Sequence, residues 1–202
     1  MILKSSEIRK IDLNKPNIFL FYGKNEGFKN ESINQLIENH GSILKYDQNE
    51  ILETENILYE NILSNSLFEE KKIIIIKRVN DKITKIIENI IPQKLIDISI
   101  ILNAENLDKK SKLRSYFEKN KNYICVPFYP DTEQTLIKLC YDFLKKKNIS
   151  ISTANMNLII NRCLGDRYIL FNELNKIDNY CKNKKKINEK DILKLTNLID
   201  NY

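Results

Sequence analysis

Four isoleucines stand in a row at positions 73–76. Successive side chains of a strand point to opposite faces, so a strand of this composition must be covered on both. Residues branched at Cβ also favour the extended backbone. Such a run suits a central strand of a parallel sheet with helices on either side. The stretch from Ile18 through Phe21 to Tyr22 has the same character, as do Ile98, Ile100, Ile101 and Leu102. Short strands at 42–46 and 123–127 bring the predicted number to five.

Between these strands the apolar residues take helical spacing. Residues 27–38 carry Phe28, Ile33, Leu36 and Ile37, and the helix ends at His40 and Gly41. Residues 51–63 carry Ile51, Leu52, Ile57, Leu58, Ile62 and Leu63. Helices are also predicted over 81–91 and over 109–119, the second with Leu113 and Phe117 four apart. Strand and helix alternate with helix-length connections, which predicts an α/β domain with a parallel sheet over residues 1–130.

After Pro130 no strand pattern recurs. Asp131-Thr-Glu-Gln134 sets a capping residue three positions before Gln134, predicting a helix that ends near 147. Ser152 begins a second helix through Met156, Ile159, Ile160 and Cys163, with Gly165 placed to close it. Asp166 opens a third as its N-cap, with Arg167 in the first turn and Ile169, Leu170, Leu174 and Ile177 on one face. A basic, solvated link follows at 182–186. Asn188 caps a fourth helix, with Asp191 at its third position and Ile187 and Ile192 spaced as a hydrophobic staple. Residues 131–202 therefore read as a small all-helical domain.

Composition narrows the function classes. The apolar fraction is 42%, ordinary for a chain with a packed core. No apolar run approaches the length of a membrane span, and the N-terminal residues lack a signal-peptide pattern; the expected location is cytoplasmic, with no membrane partner. Cys125, Cys140, Cys163 and Cys181 are widely spaced without a CxxC pair, which argues against a zinc site or a disulfide framework. The formal net charge is +6. Ile, Lys and Asn are abundant throughout, so this charge by itself is weak evidence for a polyanionic partner.

The first strand runs into Gly23-Lys-Asn-Glu-Gly27-Phe-Lys29-Asn-Glu-Ser32, where a P-loop fold holds its phosphates. Such a loop wraps the anion in backbone N–H groups from several glycines, then supplies Lys followed by Ser or Thr. Here Phe28 follows Gly27, Asn30 follows Lys29, and Glu26 adds negative charge. The isoleucine strand leads into Lys77 and Arg78, where a magnesium-binding carboxylate pair would stand. The reading is a nucleotide-binding fold without a working nucleotide site: no catalytic residue, no cofactor and no metal. The single histidine, His40, reads as a capping or solvated residue.

Several stretches together carry a family resemblance. They are Phe21-Tyr-Gly-Lys-Asn-Glu-Gly27, Ser66-Leu-Phe-Glu69, the segment from Ala104 through Leu107 and Lys109 to Arg114, Ile151-Ser152 with Ala154, and Leu164-Gly-Asp-Arg167 with Asn172-Glu-Leu174. In their order and spacing the chain resembles the delta subunit of the bacterial DNA polymerase III clamp loader, over most of residues 18–180. The resemblance implies a P-loop, AAA+-like α/β domain without a functional phosphate loop, followed by a helical lid. A third, collar domain would begin about where this sequence stops.

The resemblance further implies a subunit that is not catalytic by itself. Its partners would be the sliding clamp, the other clamp-loader subunits, and DNA through the assembled complex. A hydrophobic tip would enter a pocket on the clamp and favour ring opening. The matching residues are Ser66, Leu67 and Phe68. By its own pattern this apolar pair in a polar turn fits two readings, a partner anchor or an inward helix-end plug. The basic residues 109–114, chiefly Lys109, Lys110 and Lys112, fit either DNA phosphates or solvent. The alternative function is a nucleic-acid-binding, ATPase-like repair or recombination protein acting through those lysines and the 182–186 cluster.

Overall fold

The computed structural model describes residues 1–13, 15, 17–40, 42–63, 71–90, 97–120, 122–182 and 187–195, without the side chains of 55, 57 and 63. The chain divides into two compact units: Met1–Lys24 with Lys29–Phe128, and Asn25–Phe28 with Tyr129–Tyr202. The four residues at 25–28 thus group with the second unit, a detail that a single division near 130 does not contain.

The first unit is built on five strands, β1 (Ile18–Tyr22), β2 (Ser42–Asp47), β3 (Lys72–Val79), β4 (Ile98–Ala104) and β5 (Ile124–Pro127). Their order in the sheet is β2-β3-β4-β1-β5, and every pairing is parallel. The isoleucine run therefore lies inside the sheet, with Ile74 opposite both Leu44 and Ile100, and Ile76 opposite both Tyr46 and Leu102. Ile73, Ile74 and Ile76 are wholly buried, as a strand covered on both faces requires.

Helices α1 (Glu26–Ile37), α2 (Gln48–Glu53), α3 (Glu55–Leu63), α4 (Thr84–Ile90) and α5 (Lys112–Lys119) connect the strands. The single helix expected over 51–63 is two. Asp47 and Glu50 form a reciprocal capping box, which starts α2 at the end of β2. At Thr54 the backbone leaves helical geometry (φ −137°, ψ 73°), and α3 begins after it. The helix expected from Lys109 also starts later. Ser111 caps it by accepting from the Arg114 N–H, so 109–111 form the approach to the helix.

The second unit holds α6 (Glu133–Lys146), α7 (Thr153–Arg162), α8 (Arg167–Cys181) and α9 (Glu189–Leu195). Their common core includes Leu136, Cys140, Ile159, Ile160, Leu170, Leu174, Ile177 and Ile192. Ser152 and Asp166 cap α7 and α8 as their sequence positions imply. Asn188 accepts from the Asp191 N–H, and Asp191 accepts from the Asn188 N–H, a capping box at α9. The cap of α6 is Thr132, whose hydroxyl accepts from the Thr135 N–H. Asp131, the expected cap, is engaged elsewhere. Cys163, not Gly165, is the C-cap of α7; Leu164 and Gly165 then both take positive φ before α8.

Candidate functional site

The turn after β1 is closed by contacts that leave little room. Gly23 has φ +132°, and a Cβ there would lie 2.1 Å from the Phe128 carbonyl oxygen. Only glycine meets both demands. Its N–H donates to the Glu105 carbonyl at 3.0 Å. Lys29 stands six residues after Gly23, the interval at which a P-loop carries its lysine. Counted from Gly23, then, the lysine spacing is conventional, and the departures are Phe28 for glycine and Asn30 for the hydroxyl residue. The Lys29 side chain is fully buried. Its ammonium donates to the carbonyl oxygens of Ala104 and, at 3.4 Å, Gly23.

In the second unit, residues 25–28 are held by a polar network. Arg167, 7% exposed as a residue, sends Nε and Nη2 to the two carboxylate oxygens of Asp131 at 2.7 and 2.6 Å. Its guanidinium lies 3.8 Å from the Phe28 ring centroid, within cation–π range. Asn25 donates to Asp131 at 2.9 Å and to the Tyr129 carbonyl at 3.0 Å. A Cβ on Gly27 would lie 2.7 Å from the Tyr168 nitrogen. This glycine permits a close approach of backbones, whereas a phosphate loop would use it to wrap an anion. Arg167 therefore has a structural role, with Asp131 as partner and Asp166 free to cap α8. Asp166 is legible as a cap in the sequence, whereas the Asp131 pairing is not, because residues 36 apart leave no periodic trace.

Ser66, Leu67 and Phe68 lie outside the described residues. The two sides of the 64–70 stretch are held together. Lys72, at the start of β3, donates from its ammonium to the Asn61 carbonyl on α3 at 3.3 Å. The Asn61 amide in turn donates to the Tyr46 hydroxyl at 3.0 Å. The two described flanks of 64–70, α3 and the inner strand β3, are thus joined to each other.

Lys109, Lys110 and Lys112 are all exposed and line one cleft of about 830 Å³ in the first unit. Lys82 and Lys85, from the segment around α4, line it too, with Lys119 from α5. The sequence did not single out these three, since they come from other parts of the chain. Arg114 is turned inward. Its Nε donates to Glu118 at 2.8 Å and its Nη1 to the Leu107 carbonyl at 3.1 Å. Glu118 also accepts from the Tyr22 hydroxyl at 3.0 Å. Asp81, on the cleft's edge, accepts from the Ser111 hydroxyl at 2.6 Å and from the N–H groups of Lys112 and Leu113 at 3.1 Å. Burial acts to raise its carboxyl, but these bonds outweigh it and hold the group below the ordinary carboxylate value.

The four cysteines are buried. Burial pushes the thiols of Cys125, Cys140 and Cys163 up to about 12, so their thiolate forms are scarce at neutral pH. Among the described residues no cluster of metal-ligating side chains occurs, and no helix is long and apolar enough to cross a membrane. His40 follows α1 and donates its backbone N–H to the Ile37 carbonyl at 3.0 Å.

A family model described as DNA polymerase III, delta subunit, matches residues 19–127, more than half of the 202. A protein of Rickettsia prowazekii (strain Madrid E), described as a probable DNA polymerase III subunit delta, is 24% identical over 165 residues, covering 81% of this chain and 50% of that protein. The chain spans about half the length of the curated relative it matches. Among solved structures, the DNA clamp loader delta protein of Bacillus subtilis superposes with a TM-score of 0.56 at 15% identity, over 95% of this chain and 62% of that one. The RuvB Holliday junction branch migration motor of Thermotoga maritima gives 0.61 at 16%, over 95% and 63%. Domain III of the T. maritima replication initiation protein DnaA gives 0.55 at 17%, over 95% and 88%. The fold shared with these structures is the α/β fold of P-loop, AAA+-like proteins.

Proposed function

The chain belongs to the DNA polymerase III delta-subunit family, and so to the clamp-loader components of DNA replication; from that membership we propose that it is the clamp-opening subunit. In this reading it binds the sliding clamp through Leu67 and Phe68, with Ser66 beside them. The observation that carries the reading is an apolar pair in a polar stretch of sequence, between two elements, α3 and β3, that the Lys72–Asn61 bond joins. Fully burying the two side chains in a pocket would contribute about 1.5–3 kcal/mol each, before the cost of association.

Ring opening follows if the chain binds the open clamp more tightly than the closed one, since only differential affinity shifts such an equilibrium. The chain itself catalyses nothing in this reading. Nucleotide-driven exposure and release belong to sibling subunits, and DNA is met within the assembled complex. The segment held by Lys29 and Gly23 supports this, since the lysine's ammonium is engaged by backbone carbonyls. A cytoplasmic location and a domain split near 130 belong to the same proposal, as does a collar domain in the half of the relatives that this chain does not span.

The test is binding of the chain to the sliding clamp encoded by the same genome, beside the Leu67→Ala, Phe68→Ala double variant. Weakening by about tenfold or more, which is about 1.4 kcal/mol, supports the anchor. A folded parent chain that does not bind, yet binds DNA in a salt-dependent way, favours a repair or recombination protein of the same fold instead.

A further inference from the structure

On the reading that this chain carries no nucleotide of its own, we propose that the turn after β1 is a cation site lined by backbone carbonyls, which Lys29 fills from within. The site takes a primary alkylammonium and no phosphate. Two oxygens define it. Gly23 is the first residue after β1, and Ala104 is the last residue of β4, the strand paired with β1. Both carbonyl oxygens accept from the Lys29 ammonium, the Gly23 oxygen at 3.4 Å. Gly23, Lys29 and Ala104 all belong to the first unit.

Lys29 and Ala104 have no exposed surface, so the charge lies wholly out of water. Burying a charge is costly unless hydrogen bonds replace its hydration, and bonds from an ionised donor are the stronger kind. The helix dipole works against the ammonium. Lys29 is the fourth residue of α1, and the first turn of a helix favours anions. The strand-end carbonyls oppose that preference.

The donor side of the loop is already committed to the chain. A phosphate loop binds by pointing backbone N–H groups at the anion. Here the Gly23 N–H donates to the Glu105 carbonyl at 3.0 Å, and the Phe28 N–H donates to Oδ1 of Asn25 at 3.0 Å. The Gly23 backbone is fixed by its contact with the Phe128 carbonyl, which leaves no room for a Cβ. The side chain that would meet a phosphate faces carbonyls instead. With acceptors converging on one position and donors spent elsewhere, the sign of the site is the reverse of a phosphate loop's.

The experiment removes the ammonium and offers it back. Lys29→Ala deletes everything beyond Cβ, a fragment with the shape of propylammonium. Thermal melts of the full chain are followed with propylammonium chloride and with tetramethylammonium chloride, which has the charge but no N–H donor. Lys29→Ala is expected to melt below the parent and to recover as propylammonium is raised, but not with tetramethylammonium. Should that variant fail to fold, Lys29→Met keeps the length and the apolar stem. Hydrogen exchange at its Gly23 amide is expected to be about tenfold or more faster than in the parent. Lys24→Met, which removes an exposed charge beside the turn, is expected to leave that exchange unchanged. A Lys29→Met variant with the parent's exchange and melting temperature would mean that the side chain acts only through packing, and would overturn the proposal. So would equal rescue by both ammonium salts. Sodium pyrophosphate and magnesium ATP are expected to shift neither parent nor variants. Tight ATP binding by the parent would end the nucleotide-free reading and this proposal together, whereas failed rescue without ATP binding would end this proposal alone.

Discussion

Arg167 and Asp131 have side chains only 9% and 7% exposed, so neither charge can fall back on water if its partner is removed. Arg167→Ala would leave a buried carboxylate, a change that costs about 3–5 kcal/mol. Urea unfolding followed by circular dichroism should show this loss, and a double variant removing both charges should lose less. None of this is visible in the local pattern around either residue. Lys29 teaches the same point. As a charged residue on a predicted helix it reads as surface, yet it is wholly buried, because the backbone oxygens of Gly23 and Ala104 receive its ammonium. The glycine and lysine letters of the loop were legible; the direction in which the lysine points was not.

At the scale of elements, continuous apolar runs marked the three inner strands β1, β3 and β4, because a strand buried on both faces leaves its composition in the sequence without need of periodicity, whereas the edge strand β2 is only half-buried and mixes Ile43 and Leu44 with Lys45 and Asp47. Helix ends were less legible. The split between α2 and α3 follows from Asp47 and Glu50, whose box lies across the end of a strand, where an apolar pattern gives no hint of a cap. Helix α5 begins where Asp81, about 30 residues earlier, accepts from its first N–H groups. Asp81→Ala should destabilise the chain by about 1 kcal/mol, the scale of a lost helix cap. The sign of its pH dependence follows from the lowered carboxyl. A depressed folded value means stability that is fully present above the ordinary value of 3.8 and lost as pH falls through the folded one. Thermal melts of parent and variant should therefore differ at neutral pH and converge in strong acid. A difference that persists unchanged there would mean that Asp81 acts through packing and not through its charge.

For the whole molecule, the sequence carried the α/β-then-helical order, and the family match and solved structures bear out the fold. The nucleotide loop's departures were legible because each is a single changed letter. The lysine cleft was half legible: Lys109, Lys110 and Lys112 stand close together in the chain, whereas Lys82, Lys85 and Lys119 join them only through folding. A clamp-opening subunit must do more than adhere to the ring. The most direct measurement loads the clamp onto closed circular DNA and follows its release after stoichiometric addition of this chain. The account predicts faster release with the parent chain, and release at the unassisted rate with the Leu67→Ala, Phe68→Ala variant. A parent chain that binds the clamp and leaves its release rate unchanged would contradict the clamp-opening assignment.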